Sequence, residues 1–143
     1  MAQPVTPTVA ECIARHGAGE GALLEILHAI QEANGCVDAA AEIEIAHALN
    51  LSRAEVHGVV SFYHDFTASA DPRPVVQVCR AEACQARGVE AIVPAARAAA
   101  GDRVVLKSVY CLGLCAVGPN ARVGDSLHAR LDEAALVSLV KSA

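Results

Sequence analysis

The 143-residue sequence predicts an α/β chain: an N-terminal helical lobe over residues 1–70, then a second domain over residues 71–143 with a small mixed sheet carrying helices. Two observations predict it. Apolar residues recur at helical spacing through the first half, whereas the second half alternates short β-branched runs with helical segments. Between them lies "TASADPRP", a polar, proline-bearing stretch suited to a linker.

Residues 1–10, with Pro4 and Pro7, read as a loose arm. "GALLEILHAIQEANGCV" places Leu23, Ile26, Leu27, Ile30 and Ala33 at helical spacing and stops at Asn34-Gly35. "DAAAEIEIAHALN" predicts a second helix with Asp38 as its N-cap. In "LSRAEVHGVVSFYHDF", Ser52 and Glu55 stand in capping-box register ahead of Val56, Val59, Val60 and Tyr63. Past the linker, "PVVQVCR" reads as a buried-type strand. "GVEAIVPAARAAAG" reads as a helix that tolerates Pro94 only near its first turns. "RVVLKSVYC" is a second strand running directly into a cysteine loop. "NARVG" and "SLHARL" form a hairpin through Gly124-Asp125-Ser126. Asp132 caps a last helix, "EAALVSLVKS". The second-half order is β-α-β-β-β-α, and no internal repeat is present.

Apolar residues make up 54% of the chain, enough for a real core, and no run approaches the ~20 residues of a membrane span. "MAQPVTPTVAEC" lacks the basic start and apolar stretch of a signal peptide. The expectation is a cytoplasmic chain without membrane insertion, whose thiols stay reduced. Six cysteines in that setting point to metal or redox chemistry rather than a disulfide framework. Residues 1–70 hold two basic against nine acidic side chains, a net of −7, while residues 71–143 hold nine against seven, a net of +2. An acidic first half argues against nucleic acid and suits a protein partner.

Four cysteines form two close pairs, Cys79-x4-Cys84 and Cys111-x3-Cys115, separated by 26 residues. Each pair is expected just after a strand, in a loop able to curl around a ligand. Thiolates in a set of four select zinc or an iron–sulfur cluster. Gly88, Gly113 and Gly118 would allow positive φ and the approach of backbone N–H groups to bridging sulfides. Zinc is the alternative, although its compact knuckles more often use tighter turns. Four buried cysteines serving as small hydrophobes is the bland alternative; two close pairs in glycine-bearing segments weigh against it. Cys12 and Cys36 have no close partner in sequence and read as packing. There is no G-x-G-x-x-G, no G-x4-G-K-[ST] and no C-x-x-C, so neither a nucleotide site nor dithiol exchange of the thioredoxin type is proposed.

"VCRAEACQARG" followed by "VYCLGLCAVGP" resembles the thioredoxin-like [2Fe-2S] ferredoxin family, which includes the 24-kDa-type subunit of respiratory complex I and subunits of NAD-linked hydrogenases and formate dehydrogenases. "LNLSRAEVHGVVSFYHDF" is similar to that family's segment ending in a Phe-Tyr pair, so the likeness spans about residues 15–143. "CRAEACQ" looks most like the gamma subunit of cytoplasmic NAD-dependent, molybdenum-containing formate dehydrogenases. The resemblance implies a thioredoxin-like ferredoxin domain with one [2Fe-2S] cluster, Cys79 and Cys84 on one iron and Cys111 and Cys115 on the other. It further implies a flavin/NAD-binding partner subunit and a large molybdenum-containing catalytic subunit. FMN, NAD and the molybdenum cofactor would reside only on those partners, with no catalytic residue on this chain.

The rival from another class is a redox-sensing DNA-binding regulator, since "IEIAHALNLSRAEVHGVV" reads like helix-turn-helix. Its would-be recognition helix offers Arg53 and then mostly apolar residues. His57 and His64, seven apart on one expected helix, could meet a metal, but no third ligand is near in sequence. Phe62, Tyr63 and Phe66 read as packing, with an exposed docking patch as the alternative. Arg80 and Arg87 flank the first cysteine pair, where they would stabilise an anionic cluster, dock a partner or simply be solvated.

Overall fold

Side chains that close the first turns set where three helices of the first half begin. The computed structural model describes residues 7–19 and 21–143, and the chain divides into two compact units, Met1–Asp71 and Pro72–Ala143. The first contains α1 (Val9–His16), α2 (Ala22–Asn34), α3 (Ala39–Leu49) and α4 (Arg53–Phe62). Asp38 Oδ1 accepts the Ala41 N–H at 2.8 Å to open α3. Ser52 Oγ accepts the Glu55 N–H at 3.2 Å while Glu55 accepts the Ser52 N–H at 2.8 Å, a reciprocal capping box opening α4. Ile26, Leu27, Ile30, Ile45 and Val56 are fully buried around Cys12 and Val37. Each such aliphatic side chain contributes about 1.5–3 kcal/mol through burial.

Three expectations for this unit are corrected. The arm over residues 1–10 ends earlier, because Val9 and Ala10 already belong to α1; residues 1–6 lie outside the described residues. Thr8 and Glu11 form a second capping box there, with the Glu11 N–H donating to Thr8 Oγ1 at 3.2 Å and the Thr8 N–H to Glu11 Oε2 at 2.7 Å. The helix expected to carry both His57 and His64 stops at Phe62, so His64 lies beyond it. Of the three neighbouring aromatics only Phe66 is buried, its ring 4.9 Å from that of His28, while Phe62 and Tyr63 are exposed.

The second unit runs β1 (Val75–Cys79), α5 (Glu82–Ala86), α6 (Val89–Ala100), β2 (Val105–Val109), a 3-10 turn (Cys115–Val117), β3 (Ala121–Val123), β4 (Ser126–His128) and α7 (Glu133–Ser142). The strands lie in the order β2-β1-β3-β4; β1 and β2 are parallel and the other neighbours antiparallel, so the sheet is mixed. The short helix α5 is additional to the expected order: five residues are too few to show a helical period. Val123 pairs with Ser126, which leaves a two-residue turn, Gly124-Asp125, one shorter than expected. Gly124 takes the positive φ of +54° that such turns require at their first position.

Val76 and Val78 of β1, Val89, Val93 and Ala96 of α6, and Leu136 and Val140 of α7 share one core. α6 packs along α7. Asp132 Oδ1 accepts the Ala135 N–H at 2.8 Å and so closes the first turn of α7. Removing the fully buried Leu136 side chain by Leu136→Ala should cost about 2–5 kcal/mol. Loss of the cap through Asp132→Ala should cost about 1 kcal/mol. Urea titrations followed by far-ultraviolet circular dichroism check this; equal losses for the two variants would contradict the assignment of Leu136 to the core.

Candidate metal centre

Cys79 and Val109 are register partners at the ends of the parallel strands β1 and β2, so the chain leaves both strands over the same end of the sheet. The Arg80 N–H donates to the Val109 carbonyl at 2.8 Å and ties the two exits together. On the other side of β1, the Cys79 N–H donates to the Asn120 carbonyl at 3.0 Å, which brings the residue before β3 to the same place. In open α/β sheets the carboxyl ends of the strands are where ligands settle. Three segments of sequence, around Cys79–Cys84, Cys111–Cys115 and Gly118–Asn120, therefore converge there.

The four predicted thiols are brought together, but their settings differ from those expected. Cys79 is the last residue of β1 and Cys84 sits on α5, not in a loop; both are 1% exposed. Cys111 lies in the loop after β2 and Cys115 opens the 3-10 turn, and both are exposed. Cys111 has φ +103°, a conformation that costs a residue with a Cβ about 1–3 kcal/mol. In that conformation its Sγ lies 3.7 Å from Cys115 Sγ and accepts the Gly113 N–H at 3.4 Å. Two sulfurs on one tetrahedral metal, each about 2.3 Å from it, stand about 3.8 Å apart. The outer pair thus already has the bite of a shared metal ion. Cys79 and Cys84 hydrogen-bond to one another as the inner pair. Among the described residues no three His, Cys, Asp or Glu side chains converge on one point, so the thiols present themselves as two pairs.

Burial pushes the Cys79 thiol up, yet hydrogen bonds from the Ala81 backbone, the Cys84 thiol and the backbone of Cys111 and Leu112 together hold it below its ordinary value. Cys84 is pushed up by burial and by the shared proton and charge of Cys79. Cys115 is pushed up by its hydrogen bond to Cys111 and by that neighbour's charge. A positive metal would reverse these repulsions and displace the retained protons.

The glycines divide by purpose. Gly88 and Gly113 take positive φ, of +89° and +81°. Gly118 does not: its φ is −65°, and what it supplies is space. A Cβ there would lie 3.0 Å from Cys84 Sγ and 3.3 Å from Arg87 Cδ. Asn120 escaped the sequence reading altogether. It is 1% exposed, and its Nδ2 donates to Cys84 Sγ at 3.4 Å and to the Leu114 carbonyl at 3.1 Å. Its Oδ1 is buried without a hydrogen-bond partner. Nothing in "GPN" marks that asparagine as buried.

Arg80 is a structural tie. Its Nε donates to Glu90 Oε1 at 2.8 Å, its Nη2 to Glu90 Oε2, and its Nη1 to Ser108 Oγ at 3.4 Å, which links the exit of β1 to the start of α6 and to β2. That ion pair holds the Glu90 carboxyl below its usual range. Arg87 lies beside Gly118 and Cys84. In the first unit, His57 Nδ1 is 2.9 Å from Oε1 of the buried Glu42, so its neighbour is a carboxylate on α3. Cys12 is buried in the first unit's core and Cys36 is half-buried in the same unit, apart in sequence and unit from the four.

The added methyl of Gly118→Ala must displace the confined Cys84 sulfur by a few tenths of an ångström. Gly118→Ala should therefore reduce metal uptake several-fold at unchanged secondary structure. Iron and zinc analysis of purified protein measures this, and full occupancy in Gly118→Ala would show that the cradle is not tight.

Residues 9–143 match the thioredoxin-like [2Fe-2S] ferredoxin family. The NADP-reducing hydrogenase subunit HndA of Solidesulfovibrio fructosivorans is 28% identical over 137 residues, covering 90% of this chain and 80% of that protein. An NADH-quinone oxidoreductase subunit of Rhizobium meliloti (strain 1021) is 29% identical over 138 residues, covering 90% of this chain and 82% of that protein. Among solved structures, an NAD+-reducing [NiFe]-hydrogenase in the air-oxidized state aligns with TM-score 0.66 and 26% identity over 81% of this chain. The chain spans about a fifth of that hydrogenase chain, 22% of it. Matched over both its units and carrying two pairs of thiols at one end of its sheet, the chain belongs to the thioredoxin-like [2Fe-2S] ferredoxin family.

Proposed function

We propose that the chain is an electron-transfer subunit holding one [2Fe-2S] cluster, with Cys79 and Cys84 on one iron and Cys111 and Cys115 on the other. The carrying observation is the meeting of these thiols in two pairs at the carboxyl ends of β1 and β2, the outer pair at 3.7 Å. Two close pairs of thiols suit a two-metal core, and family membership supports the same choice. When bound, such a cluster supplies one-electron transfer, whereas a nicotinamide takes a hydride, so a flavin must divide the two electrons. That flavin and the NAD site belong to a partner subunit.

The chain's own residues hold and shield the site. Cys79 and Cys84 anchor it from the buried side, Asn120 and Gly113 direct N–H groups at sulfur, and Gly118 leaves the room Cys84 needs. On this reading the chain carries no catalytic acid, base or nucleophile of its own.

The complex we propose is a cytoplasmic NAD-dependent formate dehydrogenase, with FMN, NAD and a molybdenum cofactor on partner chains. The support is the likeness of "CRAEACQ" to that enzyme's gamma subunit. A second reading, an NAD-linked hydrogenase or complex I, is favoured by the relatives, whose names include an NADP-reducing hydrogenase subunit and quinone oxidoreductase subunits. Among the described residues no helix is long and apolar enough to cross a membrane. The helix-turn-helix reading is weaker. α4 offers Arg53 as its one arginine or lysine, and Arg53 Nε lies 3.7 Å from Glu42. Purifying the native complex and assaying its largest subunit for molybdenum or nickel separates the first two.

Anaerobically purified protein should be coloured, bleach with dithionite and give a one-electron paramagnetic signal. Serine at Cys79, Cys84, Cys111 or Cys115 should abolish or alter the signal, and serine at Cys12 or Cys36 should leave it intact. Colourless protein with stoichiometric zinc would overturn the cluster. A hydrogen bond to a ligand sulfur favours the more negative, reduced state. Asn120→Leu should therefore lower the reduction potential, by on the order of 1 kcal/mol in reduction free energy. Redox titration monitored by paramagnetic resonance reads the shift, and an unchanged potential would remove Asn120 from this role.

A further inference from the structure

We propose that Cys111 and Cys115 are also a thiol–disulfide exchange pair, which a low-molecular-weight disulfide closes in the cluster-free chain and so blocks loading of the site. The block rests on the reading of the four thiols as cluster ligands; the exchange itself does not. Its basis is the division of the four by exposure. Cys79 and Cys84 are 1% exposed, closed in by β1, α5, Gly118 and Asn120. Cys111 and Cys115 are exposed. A reagent as bulky as a tripeptide disulfide reaches only the outer pair, because exchange requires in-line attack on a sulfur from the open side.

The outer pair is also close to closing. Its sulfurs stand 3.7 Å apart. A disulfide is about 2.05 Å long, so each must move only about 0.8 Å. Both side chains are exposed, and the hydrogen bond from the Gly113 N–H to Cys111 Sγ is long at 3.4 Å. Gly113, at positive φ between the two, gives the loop backbone freedom that a residue with a side chain would not.

The chemistry balances with oxidised glutathione as the oxidant. One protein thiolate attacks a glutathione sulfur, the glutathione disulfide breaks, and one glutathione thiolate leaves. The second protein thiol then attacks the mixed disulfide and expels the other glutathione. Two protein thiols give up two protons and two electrons, and one oxidised glutathione becomes two reduced molecules. The closed pair can no longer supply two thiolates, so half of the ligand set is lost until a dithiol restores it. In the loaded chain the same sulfurs are bound and unavailable, so only the empty chain responds.

The test uses the full chain, stripped of metal and reduced anaerobically, then incubated with excess oxidised glutathione, alkylated and mapped by peptide mass spectrometry. A second portion is offered ferrous iron and sulfide, and its visible absorption is followed. One intramolecular bond between Cys111 and Cys115 is expected, with Cys79 and Cys84 alkylated after unfolding. Cluster loading should fall about tenfold relative to the reduced chain and return with dithiothreitol. A Cys12→Ser, Cys36→Ser double variant should behave identically. Free Cys111 and Cys115, a stable glutathione adduct, a bond to Cys79 or Cys84, or full loading with the disulfide present would each overturn the proposal. If the reduced chain takes up no iron and sulfide, the cluster reading fails and the block with it. The peptide map then decides the exchange pair by itself.

Discussion

The parallel pairing of β1 with β2 is the constraint on which the site depends. It makes Cys79 and Val109 register partners, so that the residues following each strand emerge side by side. A slip of one residue would carry Cys79 to the opposite face of the sheet, because side chains alternate along a strand. The antiparallel pairing of β1 with β3 closes the other side and places Asn120 next to Cys79 through a backbone hydrogen bond. Four thiols from two distant stretches of sequence are thus positioned by backbone hydrogen bonding.

Around that frame the neighbouring groups are chosen for sulfur carrying negative charge. A buried amide donates to Cys84, a loop N–H donates to Cys111, and backbone groups converge on Cys79 strongly enough to overcome its burial. Cys84 is pushed up by burial and by its contact with Cys79, and Cys115 by its hydrogen bond to Cys111 and that neighbour's charge. An array of this kind is unfavourable when empty and relieved by a cation, which is how metal binding becomes coupled to protonation. The strained φ of Cys111 belongs to the same pattern: a local cost retained where it aims a ligand.

Much of this was legible in the sequence because it is written in local chemistry. Asp38, Ser52 with Glu55, and Asp132 announce helix starts through caps that act over three residues, and each is found capping. The cysteine spacing showed the pairs, though not their burial. Thr8 and Glu11 spell the same capping box, but Pro4 and Pro7 just upstream drew the reading toward an arm. Helix α5 is not legible because five residues contain little more than one turn. Asn120 could not be seen at all: its importance arises from contacts with Cys84 and Leu114, made by tertiary folding rather than by anything in its neighbours. Gly118 stands out in the sequence as a candidate for positive φ, whereas what the fold uses is its missing Cβ.

The inner and outer thiols differ in a way that bears on electron exchange. A site held only by exposed loops would rearrange whenever its charge changed, and that rearrangement slows electron transfer. Here the inner pair sits on a strand end and a helix, and the cross-tie from Arg80 to Glu90 and Ser108 fixes the exit of that strand. The outer pair stays open beside Tyr110, a residue 73% exposed. Rigid supporting elements beneath and an accessible edge above are what a one-electron relay requires, since the ligand shell must hold still while a partner approaches. The accessible edge would not serve a purely structural zinc, whose site is closed. On the proposed reading the exposure of Cys111 and Cys115 serves electron exchange, and the same exposure is the basis for the proposed oxidation of those two thiols.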